Sequence, residues 1–423
     1  MKKKGFVISW FYPPGNSSEG LVTFKLLKNS SYSYDVYTRK NASYDMWDRN
    51  TNEKTLTSEN VNIIESEETE PRKWVLAAFR YFCANRDKYD FVMSRIMPKE
   101  AHEAALMIKE TYPEIKWFAS FGDPMVNSPY IRYIKRQDNP SPLKSYLPFG
   151  PGNKSRKAWE KNRRRDNELA LEYKKINDAV YKKADLIILN NDYQFDLATI
   201  GKYEKYKNKC VVIPHSYDPD LYSKERQNKS NSKITFTHVG HLDAMRNSLP
   251  VLSAVNKLCS YYGRKKLSSL ISVNFYGHID NIDKSFILDN NLQNIVRVHP
   301  NIKYLDSLKI MQASDWLLLI DANFTGELEK YPFLPAKFAD YVGSGRPILL
   351  ISQADSIARK ELMRTKRGVV STHNSDEVAM YMKAIIDGKL QAPIYNDKES
   401  QLLNSKSVAR SFDKIITSIV YNG

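Results

Sequence analysis

The amino-acid sequence predicts an α/β protein made of two successive doubly wound parallel sheets that face each other across a cleft. Three observations lead there. Short β-rich runs alternate with helical stretches along most of the chain. The strand candidates are continuously apolar rather than alternating, as in strands buried on both faces. The rhythm stops at a polar stretch, SKERQNKSNS (223–232), and then restarts. The 423 residues, 42% apolar and 26% charged, suffice for two separate cores. No apolar run approaches the about 18 residues that a membrane helix needs; the densest lies between Trp316 and Ile320. Cys83, Cys210 and Cys259 are widely spaced and form no CxxC pair. They point to a reducing compartment, a cytoplasmic location and no disulfide framework.

Met1-Lys-Lys-Lys4 before an apolar run imitates a leader peptide. Pro13-Pro14-Gly15-Asn16 breaks that run before any small-residue cleavage site, so 6–12 reads as a buried first strand ending in a turn. A helix over 18–29 and a strand over 34–38 follow. Next come helix 74–85, strand 91–94, helix 99–111 and strand 116–120. Residues 155–183 contain no Pro or Gly and predict a long helix, after which strands 186–189 and 210–213 flank helix 193–200. In the second half, strands are expected at 234–239, 272–276, 296–299, 316–320, 347–351 and 369–371. Helices are expected at 249–258, 304–312, 336–342 and 376–387, and a last helix at 405–419 stands apart from this set.

The formal net charge is +16, and it is unevenly placed. Residues 132–165 hold eleven basic side chains against Asp138 and Glu160 alone, with Arg156, Lys157, Lys161, Arg163, Arg164 and Arg165 at the start of the long helix. A solvated helix face is one explanation. Docking on an anionic membrane surface is another, each basic side chain near lipid contributing about 1 kcal/mol. Nucleic acid is the weakest of the three, because no RNP, helix-turn-helix or zinc-finger pattern accompanies the charge.

Two segments carry chemistry. In THVGHLDAMRN (237–247) a strand ends at Gly240 and a loop leads to a helix starting near Asn247 or Ser248, both good capping types. That geometry aims backbone N–H groups and Arg246 at one point, which suits a diphosphate, although any strand-loop-helix turn can hold an Arg. In FLPAKFADYVGSGRP (333–347), Lys337 and Asp340 are three apart and share a helix face. A lysine in a first helical turn opposes the helix dipole, so an anion beside it would account for it. The plain alternative is an exposed ion pair between Lys337 and Asp340. Asp218-Pro-Asp220 matches D-x-D formally, but its proline centre suggests a turn. The seven histidines lack HExxH or HxH spacing, and no metal site is expected. No GxSxG, P-loop or GxGxxG pattern is present, against a serine hydrolase, a P-loop NTPase or a simple dinucleotide enzyme.

Here the sequence resembles the retaining, nucleotide-sugar-dependent glycosyltransferases of the GT-B fold, specifically their fourth family. PAKFADYVGSGRPIL resembles the family's P-x-K-x-x-E-Y donor-site helix, and THVGHLDAMRN its second-domain glycine loop. VVIPHSYDPDLY resembles the end of its first domain, ISWFYPPGNSSEG its first-strand loop, and ALMIKETYPEIKWFASFGDP a run ending at a family Asp, here Asp123. The resemblance implies two Rossmann-like domains, 1–222 for the acceptor (with the basic insertion at about 132–165) and 233–400 for the donor. Residues 401–423 would form a helix returning to the first domain.

It further implies a nucleoside diphosphate sugar as donor, with Gly240, His241, Arg246 and Lys337 around its diphosphate and Asp340 on its ribose. Gly15, Ser17, Ser18 and Gly20 would approach the phosphates or acceptor, and Asp123 and His215 would line the sugar or acceptor side. The sequence departs from the family's E-x7-E pattern, with Pro332 in the first place and Asp340 in the second; Glu327 or Glu329 could substitute. Asp is shorter than Glu, so the ribose contact would be looser or water-bridged. The expected reaction is glycosyl transfer to an acceptor hydroxyl with retention, without a metal or other cofactor. The basic segment suits a lipid-linked glycan acceptor at an anionic membrane, as in bacterial capsule, O-antigen or exopolysaccharide synthesis. A non-catalytic scaffold and a nucleotide-sugar epimerase are the rival expectations.

Overall fold

The computed structural model describes residues 3–15, 17–40, 56–125, 154–223, 233–242, 246–324, 330–391 and 397–421, with backbone alone for 154–167 and 169. Seven parallel strands form the first sheet: Lys4–Ser9 (β1), Ser33–Arg39 (β2), Val61–Ser66 (β3), Phe91–Ile96 (β4), Lys116–Phe121 (β5), Leu186–Leu189 (β6) and Cys210–Val212 (β7). Their order is β3-β2-β1-β4-β5-β6-β7. Six form the second: Ile234–Val239 (β8), Ile271–Tyr276 (β9), Val296–His299 (β10), Trp316–Ile320 (β11), Ile348–Ile351 (β12) and Gly368–Ser371 (β13). Here the order is β10-β9-β8-β11-β12-β13.

Both sheets are doubly wound, and inner strands such as β6, β11 and β12 are wholly apolar and buried, as that arrangement requires. In each, the strand order reverses beside the first strand, between β1 and β4 and between β8 and β11. At such switch points the connections leave for opposite faces, and a crevice opens at the strands' C-terminal ends. The loops after β1 and β4 and after β8 and β11 therefore flank the two crevices, with the loop after β5 next to the first.

Helices Ser18–Lys28 (α1), Pro71–Ala84 (α2), Glu100–Thr111 (α3), Lys154–Lys183 (α4) and Asp192–Ala198 (α5) accompany the first sheet. The second carries Leu249–Tyr262 (α6), Arg264–Leu270 (α7), Asn281–Asp289 (α8), Tyr304–Ala313 (α9), Lys337–Gly343 (α10), Ile357–Thr365 (α11) and Ser375–Ile386 (α12). Asp397–Gln401 (α13) leads to the last helix, Ser405–Val420 (α14).

Several local expectations need correction. β1 ends at Ser9, not residue 12, because the Ser9 hydroxyl donates to the Phe11 carbonyl (2.7 Å) and turns the chain out of the ladder. β3 is an edge strand whose Val61, Ile63 and Ile64 are interrupted by Asn62 and only partly buried, which hid it in the sequence. The short helices α7, α8, α11 and α13 also escaped; α11, for example, is set by Ser356, whose hydroxyl accepts from the Arg359 N–H at 3.1 Å.

One core lies between β1, β4, β5 and helices α2 and α3, around Phe6, Ile8, Trp74, Phe82 and Trp117. A second is continuous between the sheets, from Phe24 and Phe118 through Tyr217 to Phe338, Tyr341, Leu350 and Phe412. α14 returns to the first domain, as expected. Asp413 accepts from the Ser30 hydroxyl (2.5 Å) and the Ser31 N–H (2.7 Å), Asn29 donates to the Ser405 hydroxyl (3.0 Å), and Tyr421 stacks on Tyr32. The D-x-D pair closes the chain reversal before it. Fully buried Asp218 accepts from Lys28 Nζ (2.6 Å), and Asp220 from Lys406 Nζ (2.8 Å). Among the described residues, no helix is long and apolar enough to cross a membrane.

Candidate functional site

On the second domain, β8 runs into Gly240, whose φ of +112° is hostile to any side chain. A Cβ there would stand 2.5 Å from Lys337 Nζ, so the glycine loop and the first residue of α10 meet directly. Lys337 Nζ lies 3.2 Å from His238 Nε2, and His238 Nδ1 lies 2.9 Å from the Leu318 carbonyl on β11. His238 is wholly buried. Burial first, then the Lys337 and Arg246 cations, hold its ring well below the ordinary histidine range. The imidazole is thus neutral; the network assigns its proton to Nδ1, donating to Leu318, and leaves the Nε2 lone pair to accept from Lys337.

Arg246 connects the two domains electrostatically. Its charge reaches Asp123, which follows β5, and Asp321, which follows β11. Asp123, in the loop after β5, is half-buried; burial and neighbouring Glu19 push its carboxyl up to about 6 against the opposing pull of Arg246 and Arg95. Asp321 is fully buried, and burial likewise raises it to about 6 although Arg246 and hydrogen bonds from the Ala322 N–H (3.1 Å) and Ser352 hydroxyl (3.3 Å) oppose the rise. Sequence reasoning missed Asp321; the signal was an acid directly after the most apolar strand.

The first-domain wall begins where Gly15 N–H donates to the Tyr12 carbonyl (3.0 Å). Ser17 is the N-cap of α1 and Ser18 its first residue, but the buried Ser17 hydroxyl has no hydrogen-bond partner among the described residues. Gly20 lets α1 lie on the backbone of Tyr12, 3.0 Å from where a Cβ would be. In the first turn, Glu19 pairs with Arg95 Nε (2.7 Å), and Arg95 also donates to the Ser120 hydroxyl (3.0 Å). Arg95 Nη2 is 3.5 Å from His215 Nε2. Burial, then Arg95 and Lys25, lower the His215 pKa well below its usual range, and its buried Nδ1 lacks a partner among the described residues. Neither Glu19 nor Arg95 stood out in the sequence, since each acquires meaning only from the other.

Other candidates are placed differently from one another. The buried Asp340 carboxylate accepts from Lys25 Nζ of α1 (2.8 Å) and the Tyr304 hydroxyl (3.0 Å), with Tyr222 at 3.4 Å. Lys337 and Asp340, three residues apart, thus turn to different partners. His241 Nδ1 accepts from the His278 N–H (3.2 Å). Ser248 stands at the N-cap of α6, yet its hydroxyl goes to Asp283 (2.5 Å) rather than capping. Glu327 and Glu329 lie outside the described residues, as do the side chains of Arg156, Lys157, Lys161, Arg163, Arg164 and Arg165. Chemically, Arg246, Lys337 and the Gly240 turn can hold a dianion, while Asp123 lies in the field of Arg246 from the opposite domain.

No protein-family model and no curated protein matches this chain. Solved structures do. Sucrose-phosphate synthase from Thermosynechococcus elongatus aligns over 100% of both chains at 12% identity, with a TM-score of 0.66. A structure described as trehalose-6-phosphate from E. coli, bound with UDP-2-fluoro glucose, aligns over 99% of each chain at 11% identity (TM-score 0.59). UDP-GlcNAc 2-epimerase from Neisseria meningitidis, bound to UDP-GlcNAc, covers 98% of this chain and 99% of its own at 10% identity (TM-score 0.52). The likeness is one of fold. Two facing parallel-sheet domains with a last helix crossing back are the GT-B architecture, matched along the whole chain.

Proposed function

We propose that the protein is a retaining glycosyltransferase of the fourth-family type that uses a nucleoside diphosphate sugar. The observation that carries this reading is the meeting of Gly240, Lys337 and the field of Arg246 at the end of β8, opposite Asp123. As the bond from the anomeric carbon to the phosphate oxygen breaks, negative charge grows on the diphosphate and the sugar becomes cationic. Arg246 and Lys337 would stabilise that leaving group without a metal ion. With retention, the acceptor hydroxyl attacks from the side of the departing phosphate and gives its proton to that phosphate's oxygen. Asp123 and His215 would line the sugar or acceptor side. Because Asp340 is engaged by Lys25, its role toward the ribose would require that pair to open or to share the carboxylate.

The deciding experiment is a thermal-shift panel of UDP, GDP, dTDP, CDP and ADP on the wild type and the Arg246→Ala/Lys337→Ala double variant. A ligand at 100 times its dissociation constant adds about 2.7 kcal/mol of stability. One base should stabilise the wild type and fail on the variant; silence with all five would overturn the reading. The likeness to UDP-GlcNAc 2-epimerase favours a second reading, rearrangement of the donor alone. Mass spectrometry with and without acceptor separates the two, since an epimerase needs none. The acceptor we infer is a lipid-linked glycan of a bacterial capsule, O-antigen or exopolysaccharide, reached from the cytoplasmic side of an anionic membrane through the start of α4. Arg163→Ala/Arg164→Ala/Arg165→Ala should reduce binding to phosphatidylserine vesicles at low salt, and unchanged binding would remove the membrane from the account.

A further inference from the structure

We propose that His238 is a positioning residue for Lys337, and that it does so within a polar clasp that locks α10 to the end of β8 and the middle of β11. The inference rests on the nucleotide-sugar reading for its functional meaning, but its geometry is independent of it. Lys337 and Tyr341 are four apart on α10 and so lie on one face. The Tyr341 hydroxyl accepts from the Val239 N–H (2.9 Å) and donates to the Leu318 carbonyl (3.3 Å). The same carbonyl accepts from His238 Nδ1, and His238 Nε2 receives Lys337. Two side chains from one helix are thereby fastened to two neighbouring strands through one shared carbonyl.

Position 238 needs no histidine for packing. It lies in a fully buried strand segment beside Phe236 and Val239, where an apolar side chain would cost nothing in desolvation. A buried imidazole is tolerated when both ring nitrogens are engaged, and here both are. What it adds is direction. Lysine is a point charge on a flexible four-carbon stem that loses much rotamer freedom when fixed. An acceptor that cannot swing, because its other nitrogen is tied to β11, holds the ammonium at the Gly240 turn before any anion arrives. Since the ring stays neutral, it accepts from Lys337 without repelling it.

The test compares three substitutions. Gln can offer its carbonyl near the place of Nε2; Asn can keep the donor to Leu318 but not the acceptor to Lys337; Phe keeps the ring without either. With whichever nucleoside diphosphate of the panel stabilises the wild type, His238→Gln should retain affinity within about threefold, while His238→Asn and His238→Phe should lose about tenfold, the size of one hydrogen bond to a charged group. In a Lys337→Ala background, His238→Phe should cost nothing further. Wild-type affinity in His238→Phe, or an equal loss in both backgrounds, would overturn the proposal. A readout without nucleotide is the acylation rate of Lys337 followed by peptide mass spectrometry, which should rise severalfold in His238→Phe and not in His238→Gln. If no nucleotide binds the wild type, the donor reading falls; unchanged Lys337 labelling in His238→Phe is what would overturn the clasp.

Discussion

Asp123 and Asp321 approach Arg246 from opposite domains, and each is held partly protonated near neutrality by its surroundings. For Asp123 the sign follows from linkage. A carboxyl raised from 3.8 to about 6 binds its proton more tightly in the folded state. Folding is therefore favoured below the unfolded value, and this contribution is lost as pH rises through about 6. Asp123→Asn removes the dependence: the variant should be more stable than wild type at pH 7.5, on the order of 1 kcal/mol given partial exposure, and the difference should vanish at pH 4. Urea unfolding at the two pH values decides this, and a constant offset would contradict it. Arg246 and Lys337 could be singled out in the sequence because each stands beside a glycine loop or a helix start, and Asp123 through the family resemblance. Asp321, Glu19, Arg95 and His238 were not, for their roles are set by residues that face them from other elements.

Among the elements, the turn after β8 is the most constrained. Gly240→Ala would force a side chain into positive φ and against the Lys337 ammonium. We expect a stability loss of about 1–3 kcal/mol in denaturant titrations, together with loss of nucleotide binding. Retained binding at full strength would mean that Lys337 does not stand where the phosphates go. Most strands and long helices could be read from periodicity, because parallel strands buried on both faces are short apolar runs and helices between them are long. β3 could not: at the sheet edge it is covered only in part, and its apolar residues are too few and interrupted to form a run. The short helices failed for a related reason, being too brief for a period to repeat.

At the scale of the molecule, α1 joins the domains through one ion pair and braces the end of the first domain through another. Lys25 pairs with Asp340 at 2.8 Å, and Lys28, one turn on, with Asp218 at 2.6 Å. Lys25 is 1% exposed, so removing its charge strands a buried carboxylate. Lys25→Met should cost about 3–5 kcal/mol, whereas adding Asp340→Leu should recover most of the loss. Calorimetry should show one unfolding transition in the wild type and two in Lys25→Met; a single unshifted transition would refute the link. No pattern could have announced this pair, whose members are 315 residues apart in sequence. Two successive doubly wound sheets were accessible from local signals taken in order, and the GT-B arrangement with its returning helix from the family resemblance, while the Lys25–Asp340 join was not.

The returning helix α14 has a consequence for how the chain is made. The first sheet is complete by residue 212, but Ser30, Ser31 and Tyr32 meet Asp413, Thr417 and Tyr421 only after the whole second sheet has been synthesised. During synthesis the earliest domain therefore waits with one seam open, its apolar partners Phe412 and Ile416 still to come. A nascent chain halted near residue 400 should bind chaperones more strongly than one released with α14, and supplying 401–423 as a peptide should displace them.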